Sequence, residues 1–380
     1  MGQFISQPVT EKFVETYERP HVSMVIGQMQ GYRVSMEDAH CCWHKTLEIT
    51  SFGGFLQRYE IDIVGVFDGH GGKNAAQYVA ERLPHIIFGL LKEQLVEHKN
   101  DIGTRYAETD CLVETINFTQ IIKNAFFKCD SELYSRRIKS GSTAVVVIIL
   151  NGIVFTANIG DSRCILHTGK HDTVKNLSFD HKPKHYGELF RIHSDGGHVQ
   201  ANRVGGVLAL SRAFGDFTFK CFNQTNYARL LNNKKMQARA NLEQRNYNNM
   251  SFSLEATSKS SLESLTVPEE FQVTAEPDIV IHTITSEDHF LILACDGVWD
   301  CYNNEPLVHQ TRHFLSLDLS LNVVVEKLLD LCIRKANTIT GVGFDNMTLI
   351  LVALHPLRTV NQWHKKFSSE ILAESESNTQ

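Results

Sequence analysis

Three aspartates stand at the ends of apolar segments, where they could hold metal ions. Asp68 directly follows the segment IVGVF, Asp296 directly follows FLILAC, and Asp345 comes just before MTLILV. Taken singly, an Asp-Gly pair is more often a turn than a metal site. Three carboxylates that converge would raise one another's pKa, and a bound divalent cation would remove that cost. Together they favour a metal site at fixed strand ends.

A fourth cluster, RVSMED at residues 33–38, adds a guanidinium to these carboxylates. Arg33 and Glu37 would share a face in an extended chain and also in a helix. The plainer interpretation is a surface ion pair that contributes little. The functional interpretation is an arginine that binds a phosphate beside a metal-bound carboxylate.

The proposed ligands are all oxygens, which suits Mg²⁺ or Mn²⁺ and argues against zinc. A water or hydroxide shared by two such ions about 4 Å apart is a strong nucleophile at neutral pH. The chain has neither a GxSxG motif nor a GxxxxGK[ST] loop, so neither a serine nucleophile of that kind nor a P-loop is indicated.

Short apolar strands and helices would position these residues. Residues 61–67 (IDIVGVF) are typical of a buried strand. Residues 142–150 and 153–159 flank Asn151-Gly152, which favours a type I′ hairpin turn. Further strands are predicted at 163–167, 278–284, 290–295 and 347–354, and helices at 73–92, 112–134, 304–314 and 321–336.

We expect local pairing of these strands, including an antiparallel pair formed by 278–284 and 290–295. Pro84 should interrupt the first helix, because proline lacks the backbone donor. Helices between locally paired strands argue against a doubly wound parallel sheet. They favour an α+β fold of antiparallel sheets covered by helices.

Composition and charge limit the classes of function. A net charge of −6 gives no field that would attract nucleic acid, so we expect no nucleic-acid partner and rank a two-metal nuclease low. The nine cysteines include no CxxC pair, which indicates reduced, mostly buried thiols in a cytosolic or nuclear protein.

The first six residues, MGQFIS, fit the N-myristoylation pattern with Gly2 as acceptor. A glycine present by chance is an equal alternative. A single acyl chain gives marginal, reversible membrane binding, and no neighbouring cysteine or basic cluster adds a second signal. We expect a cytoplasmic monomer, with weak membrane association or a nuclear pool as alternatives.

Two polar regions fall outside the predicted elements. Residues 222–268 are rich in Asn, Gln and Ser and carry several basic residues. They are interpreted as a surface insertion, with docking of acidic or phosphorylated partners as the alternative. The final residues, 368–380, are expected to form a disordered tail.

A dense, ordered set of motifs resembles the type 2C metal-dependent protein serine/threonine phosphatases. Matches cover roughly residues 21–355 apart from the insertion, and so many motifs in register make chance agreement very improbable. In chain order they are RVSMEDAH (33–40), VFDGHGG (66–72), GSTA (141–144), ANIGDSR (157–163), DHKP (180–183), LALSRAFGD (208–216), ACDGVWD (294–300) and DNMT (345–348).

The resemblance implies two packed antiparallel β-sheets flanked by pairs of antiparallel helices. The phosphatase domain would span 21–356, between an N-terminal segment (1–20) and a C-terminal tail (357–380). The family usually has a small residue where this chain has Asp195, and we expect no effect from that difference.

The resemblance also implies two Mn²⁺ or Mg²⁺ ions and a weaker third. Asp68 would bridge the two ions, and Gly69 would offer its carbonyl to one of them. Glu37, Asp296 and Asp345 would complete the coordination of the other ion. Asp161 would bind the weaker third ion together with Asp296.

The residues around the ions would act on water and substrate. Asp38 and Asn346 would orient metal-bound waters, which makes Asp38 a catalytic residue as well. Arg33 would hold the substrate phosphate. His70 would protonate the leaving serine or threonine oxygen. The alternative function is a catalytically inactive phosphatase-fold regulatory binding protein, which should have lost a ligand or the arginine; this chain retains them.

Overall fold

A computed structural model describes residues 4–50, 56–101, 116–169, 171, 173–220, 268–356 and 358–377.

The first of two large sheets has six antiparallel strands. The order across this sheet is β1 (Phe4–Glu18), β2 (Val22–Arg33), β15 (Met347–Leu354), β14 (Asp288–Ala294), β9 (Arg163–Thr168) and β10 (Val174–Asn176).

The second sheet has five antiparallel strands and packs face to face on the first. Its order is β13 (Asp278–Thr283), β8 (Ile153–Ile159), β7 (Ala144–Leu150), β4 (Leu56–Phe67) and β3 (Ala39–Thr50). Two short ladders join β5 (Gly69–His70) to β6 (Gly141–Ser142) and β11 (Val199–Gln200) to β12 (Arg203–Val204).

Seven α-helices lie within the described residues. They are α1 (Asn74–Asp101), α2 (Phe118–Ser135), α3 (Tyr186–Ser194), α4 (Asp296–Trp299), α5 (Asn304–Ser316), α6 (Leu321–Arg334) and α7 (Val360–Ser377). Single 3-10 turns occupy Phe217–Phe219 and Pro268–Glu270. Among these elements, no helix combines the length and the apolar character needed to cross a bilayer.

Alternation along β4 shows why its C-terminal part, residues 63–67, is a continuous apolar run. Ile61 and Ile63 face the core under α1 and α2, whereas Val64 and Val66 face the other sheet. Successive side chains of a strand point to opposite faces, so a strand buried on both sides must be apolar throughout. The prediction of a buried strand at 61–67 is confirmed.

The helices form outer layers on both sheets. Apolar side chains of α1 and α2 pack on the second sheet, and those of α5, α6 and α7 pack on the first. The α+β architecture with packed antiparallel sheets is therefore confirmed. The predicted disordered tail at 368–380 is wrong as far as residue 377, because α7 extends to Ser377 and Ile371 packs, with Trp363 and Phe367, against the core of the first sheet.

Two further predictions about the elements are wrong. Helix α1 continues through Pro84, because Leu83, Ile86 and Ile87 beside it are buried in the core and this packing outweighs one lost hydrogen bond. Strands β13 and β14 do not pair with each other: β13 pairs with β8, and β14 pairs with β15 and β9 in the other sheet. The chain crosses between sheets at the turn that joins them.

The antiparallel registers bring several chain turns to one end of the sandwich. Ala39 lies opposite Phe67, Ala144 opposite Ile159, and Ala294 opposite Leu349. The ends of β4, β8 and β14 and the starts of β3 and β15 therefore meet at the same end. Residues just outside these strands are held close together although they are distant in sequence.

Candidate active site

A cleft of about 760 Å³ opens at this end of the sandwich, and most of the predicted site residues line it. The structure brings together there Arg33, Glu37, Asp68, Gly69, His70, Asp161, Asp296, Asp345 and Asn346. Asp38 is buried close to Asp68, and Gly2 lies outside the described residues. The convergence follows from the strand registers, since each residue lies at a strand end, in the adjoining turn or, for Asp296, at the start of α4.

The carboxylates repel one another strongly. Burial, followed by the negative charge of Asp296 and other neighbouring carboxylates, raises the pKa of Asp68 well above its usual range. Burial and then the charges of Asp161 and Asp345 do the same for Asp296. Such a cluster is costly in the ionised form unless positive charge compensates it.

The donor set fits hard divalent cations. Carboxylates supply the accessible ligand atoms, which is the chemistry that Mg²⁺ and Mn²⁺ prefer. The thiol of Cys295 lies within 4.8 Å of ligand oxygens of Asp38 and Asp68. Burial and those negative charges raise its pKa well above normal. A soft thiol is also a poorer match than a carboxylate for Mg²⁺ or Mn²⁺, so the carboxylates are the better candidate ligands.

Asp38 has a more protected position than the other acids. Its Oδ2 accepts a hydrogen bond from the Thr348 hydroxyl at 2.7 Å, and its side chain is buried. Burial raises the pKa of Asp38 to about 7, against the opposing effect of the hydrogen bonds from Thr348 and Cys295. A carboxyl in this state can orient a neighbouring group by accepting or donating a hydrogen bond.

Asn346 fixes the loop that carries Glu37. Its Oδ1 accepts a hydrogen bond from the Glu37 amide at 2.9 Å, and its Nδ2 donates to the carbonyls of Gln30 and Ser35. The Glu37 backbone also lies so close to Gly69 that a Cβ there would stand 2.2 Å from the Glu37 carbonyl oxygen. Glycine is therefore required at position 69 for steric reasons as well.

The Arg33 guanidinium pairs with Asp345 instead of Glu37. Its Nη2 lies 2.5 Å from Oδ2 of Asp345, while Glu37 accepts a hydrogen bond from the Gly72 amide at 3.0 Å. Among the described residues, the buried Nε of Arg33 has no hydrogen-bond partner. Asp345 thus orients the guanidinium, and the side chain, one-third exposed, lines the cleft where an anion could meet it.

His70 has an acidic partner that sequence reasoning did not assign. Its Nε2 lies 2.6 Å from Oδ2 of Asp216. Burial lowers the pKa of His70, but the hydrogen bond and negative charge of Asp216 outweigh it, so the pKa is raised overall. Asp216 was visible only as the last residue of the motif LALSRAFGD, and no local pattern connects it to His70.

Asp161 also has a partner that was not predicted. The Lys182 ammonium forms an ion pair with its Oδ2. Burial lowers the pKa of Lys182, but the charge and hydrogen bond of Asp161 outweigh it and leave the pKa raised. Any cation that binds at Asp161 would have to share this carboxylate with a lysine.

The region beside the cleft is held by polar contacts. Asp195, for which no role was predicted, accepts a hydrogen bond from the Gln272 amide at 3.0 Å. The neighbouring Arg191 donates to the carbonyls of Phe271 and Ser211. These contacts anchor the chain on the C-terminal side of the predicted insertion; the insertion itself, apart from Pro268, lies outside the described residues.

Comparison with known proteins gives one consistent result. The family model described as protein phosphatase 2C matches residues 22–340. The chain is 37% identical to protein phosphatase 2C homolog 4 of Saccharomyces cerevisiae, over 98% of both chains. It is 33% identical to protein phosphatase 2C homolog 3 of Schizosaccharomyces pombe, over 98% of this chain and 74% of the relative.

Solved structures share the fold. A phosphatase from Toxoplasma gondii superposes with a TM-score of 0.62, at 23% identity, over 92% of this chain and 97% of that one. A sex determining protein of Caenorhabditis elegans superposes with a TM-score of 0.58 at 21% identity, over 94% of this chain and 68% of that one. At these identities the likeness concerns architecture alone.

Proposed function

Because this chain belongs to the protein phosphatase 2C family of metal-dependent serine/threonine phosphatases, we propose that its cleft hydrolyses phosphoserine and phosphothreonine with two divalent ions, Mn²⁺ or Mg²⁺. The observation that carries this mechanism is the cluster of half-buried carboxylates around Asp68 and Asp296 that lines the cleft. When bound, the ions would supply Lewis-acid charge and an activated water. Glu37, Asp68, Gly69, Asp296 and Asp345 would hold them, with Asp161 available to a weaker third ion.

Arg33 would bind the phosphate of the substrate. Its side chain lines the cleft, is one-third exposed, and is oriented by the ion pair with Asp345. A planar guanidinium can contact two phosphate oxygens at once, so it fixes the orientation of the group as well as its charge.

His70 would donate the proton that the leaving oxygen needs. An alkoxide is a poor leaving group, and a histidine can supply a proton near neutral pH. The hydrogen bond to Asp216 holds the ring and favours its protonated form. Asp38 and Asn346 would orient water, supported by their buried hydrogen-bond networks.

The mechanism can be tested with purified protein and a phosphothreonine peptide. Phosphate release should require Mn²⁺ or Mg²⁺, and Asp68→Asn and Asp296→Asn should each be nearly inactive and bind Mn²⁺ more weakly by calorimetry. Asp318→Asn is a matched control, because Asp318 is exposed and does not line the cleft. Full activity in excess EDTA would contradict the two-ion mechanism. A wild-type protein that is well folded and binds metal but is inactive would favour the alternative, a regulatory binding protein.

We also propose a monomeric, cytoplasmic protein that acts on phosphorylated proteins, with membrane association or a nuclear pool as alternatives. Support for the membrane alternative is limited to the MGQFIS sequence and the acceptor Gly2. Mass spectrometry of the protein from its native cells should detect an N-terminal acyl group if Gly2 is modified. A Gly2→Ala variant that distributes between membrane and soluble fractions as the wild type does would argue against that role.

A further inference from the structure

The N-terminal strand β1 reaches the cleft and contacts the phosphate-binding arginine. Phe4 lies opposite Arg33 in the register of β1 and β2. The guanidinium carbon of Arg33 stands 5.5 Å from the centroid of the Phe4 ring. A guanidinium over the face of an aromatic ring is attracted by the ring quadrupole.

Two more aromatic rings hold Phe4 in place. The ring of Phe344 meets Phe4 edge to face with centroids 5.4 Å apart, and Tyr32 stacks on Phe344 at 4.3 Å. Phe344 directly precedes Asp345, the carboxylate that pairs with Arg33. One dipeptide therefore supplies both the ring that supports Phe4 and the charge that binds the guanidinium.

We propose that Phe4 is a positioning residue that holds the Arg33 guanidinium in the orientation that binds phosphate. This inference rests on the proposed function of Arg33. Asp345 fixes one edge of the guanidinium at Nη2, and the Phe4 ring restricts its plane. Together they confine a long, flexible side chain that lines the cleft. A guanidinium that is already oriented loses less freedom when it binds an anion.

The exposure of Phe4 distinguishes this role from core packing. Phe4 is 48% exposed, so the ring contributes little to a buried core. Phe13, on the same strand, is 54% exposed and contacts the ring of His40 at 6.4 Å. The two phenylalanines are alike in element and exposure, but Phe4 is the one that faces Arg33.

The test compares Phe4→Leu, Phe4→Tyr and the control Phe13→Leu. Calorimetry measures the binding of inorganic phosphate to the Mn²⁺-loaded protein. Steady-state kinetics with a phosphothreonine peptide give KM and kcat. Phe4→Leu should weaken phosphate binding and raise KM by about two- to fivefold, because the apolar bulk remains but the ring face is lost. The effect on kcat should be smaller, since phosphate is held in both ground and transition states.

Phe4→Tyr and Phe13→Leu should resemble the wild type. In an Arg33→Ala background, Phe4→Leu should cause no further weakening, because the residue it positions is absent. Equal phosphate binding by Phe4→Leu and Phe13→Leu would overturn the proposal, as would an undiminished effect in the Arg33→Ala background. An inactive wild type would count against the proposed function, whereas the phosphate-binding comparison would still decide the role of Phe4.

Discussion

The Nε2 of His70 lies 2.6 Å from Oδ2 of Asp216, which comes 146 residues later in the chain. Gly141 packs directly against this pair. A Cβ at that position would stand 2.3 Å from Nε2 of His70 and 2.2 Å from Oδ2 of Asp216. Asp216 is itself in a left-handed conformation with φ 50°. The preceding amide, that of Gly215, donates to Asp130 on α2 at 2.8 Å. A buried network thus holds the carboxylate against the imidazole.

Replacing Asp216 should impair the step in which the leaving oxygen takes a proton. Asp216→Asn removes the charge that favours the protonated imidazole, so kcat on a phosphothreonine peptide should fall by about tenfold or more. The loss on p-nitrophenyl phosphate should be smaller, because its phenolate leaves without protonation. Steady-state kinetics with both substrates checks this, and equal losses on the two would contradict the role.

Replacing Lys182 should alter cation binding at Asp161. In Lys182→Met the carboxylate loses its ion-pair partner, and the uncompensated negative charge should bind the weakest divalent ion about threefold tighter or more. Calorimetric titration with Mn²⁺ measures this. Lys184→Met, at an exposed position two residues away, should match the wild type. Unchanged or weaker binding in Lys182→Met would show that the lysine does not compete for Asp161.

Acid should weaken the attachment of α3 to the rest of the protein. Glu188 on α3 pairs with Arg212 at 2.8 Å and with Arg191 at 2.9 Å. Burial raises the pKa of Glu188, but the hydrogen bond and charge of Arg212 and the charge of Arg191 outweigh it and lower the pKa to about 2. Because the folded pKa lies below the unfolded value, the contribution is complete above about pH 4.5 and is lost as pH falls towards 2.

Glu188→Gln should therefore lower the free energy of unfolding at pH 7 by up to about 3 kcal/mol. The difference from wild type should shrink progressively below about pH 4.5. Urea denaturation at a series of pH values measures it, with Glu93→Gln on the exposed face of α1 as the matched control. A difference that stays constant down to pH 3 would mean that the charge of Glu188 is not the source.

The buried pair Lys220–Asp130 should be needed for stability. Nζ of Lys220 lies 2.8 Å from Oδ2 of Asp130, and both side chains are almost fully buried. Lys220→Met should lower the free energy of unfolding by about 3–5 kcal/mol, because it leaves a buried carboxylate without its cation. Chemical denaturation checks this against Lys184→Met. A loss below about 1 kcal/mol would show that Asp130 is compensated in another way.

Much of the architecture could be predicted from local patterns. The apolar run in residues 61–67, the Asn151-Gly152 turn between β7 and β8, and the patterns at 304–314 and 321–336 each encode one element. These signals are local because they follow from the periodicity of strands and helices and from turn geometry. Strands β1, β2 and β3 were not assigned.

The amino-acid sequence by itself determined which residues stand at the strand ends, and its ordered motifs indicated the family. Only the tertiary structure decided which partners they meet: Asp345 for Arg33, Asp216 for His70, Lys182 for Asp161, and Phe4 beside Arg33. It also decided that β13 and β14 lie in different sheets. The physical reason is that a pairing between distant residues depends on how sheets and helices pack, and no short-range periodicity encodes that packing.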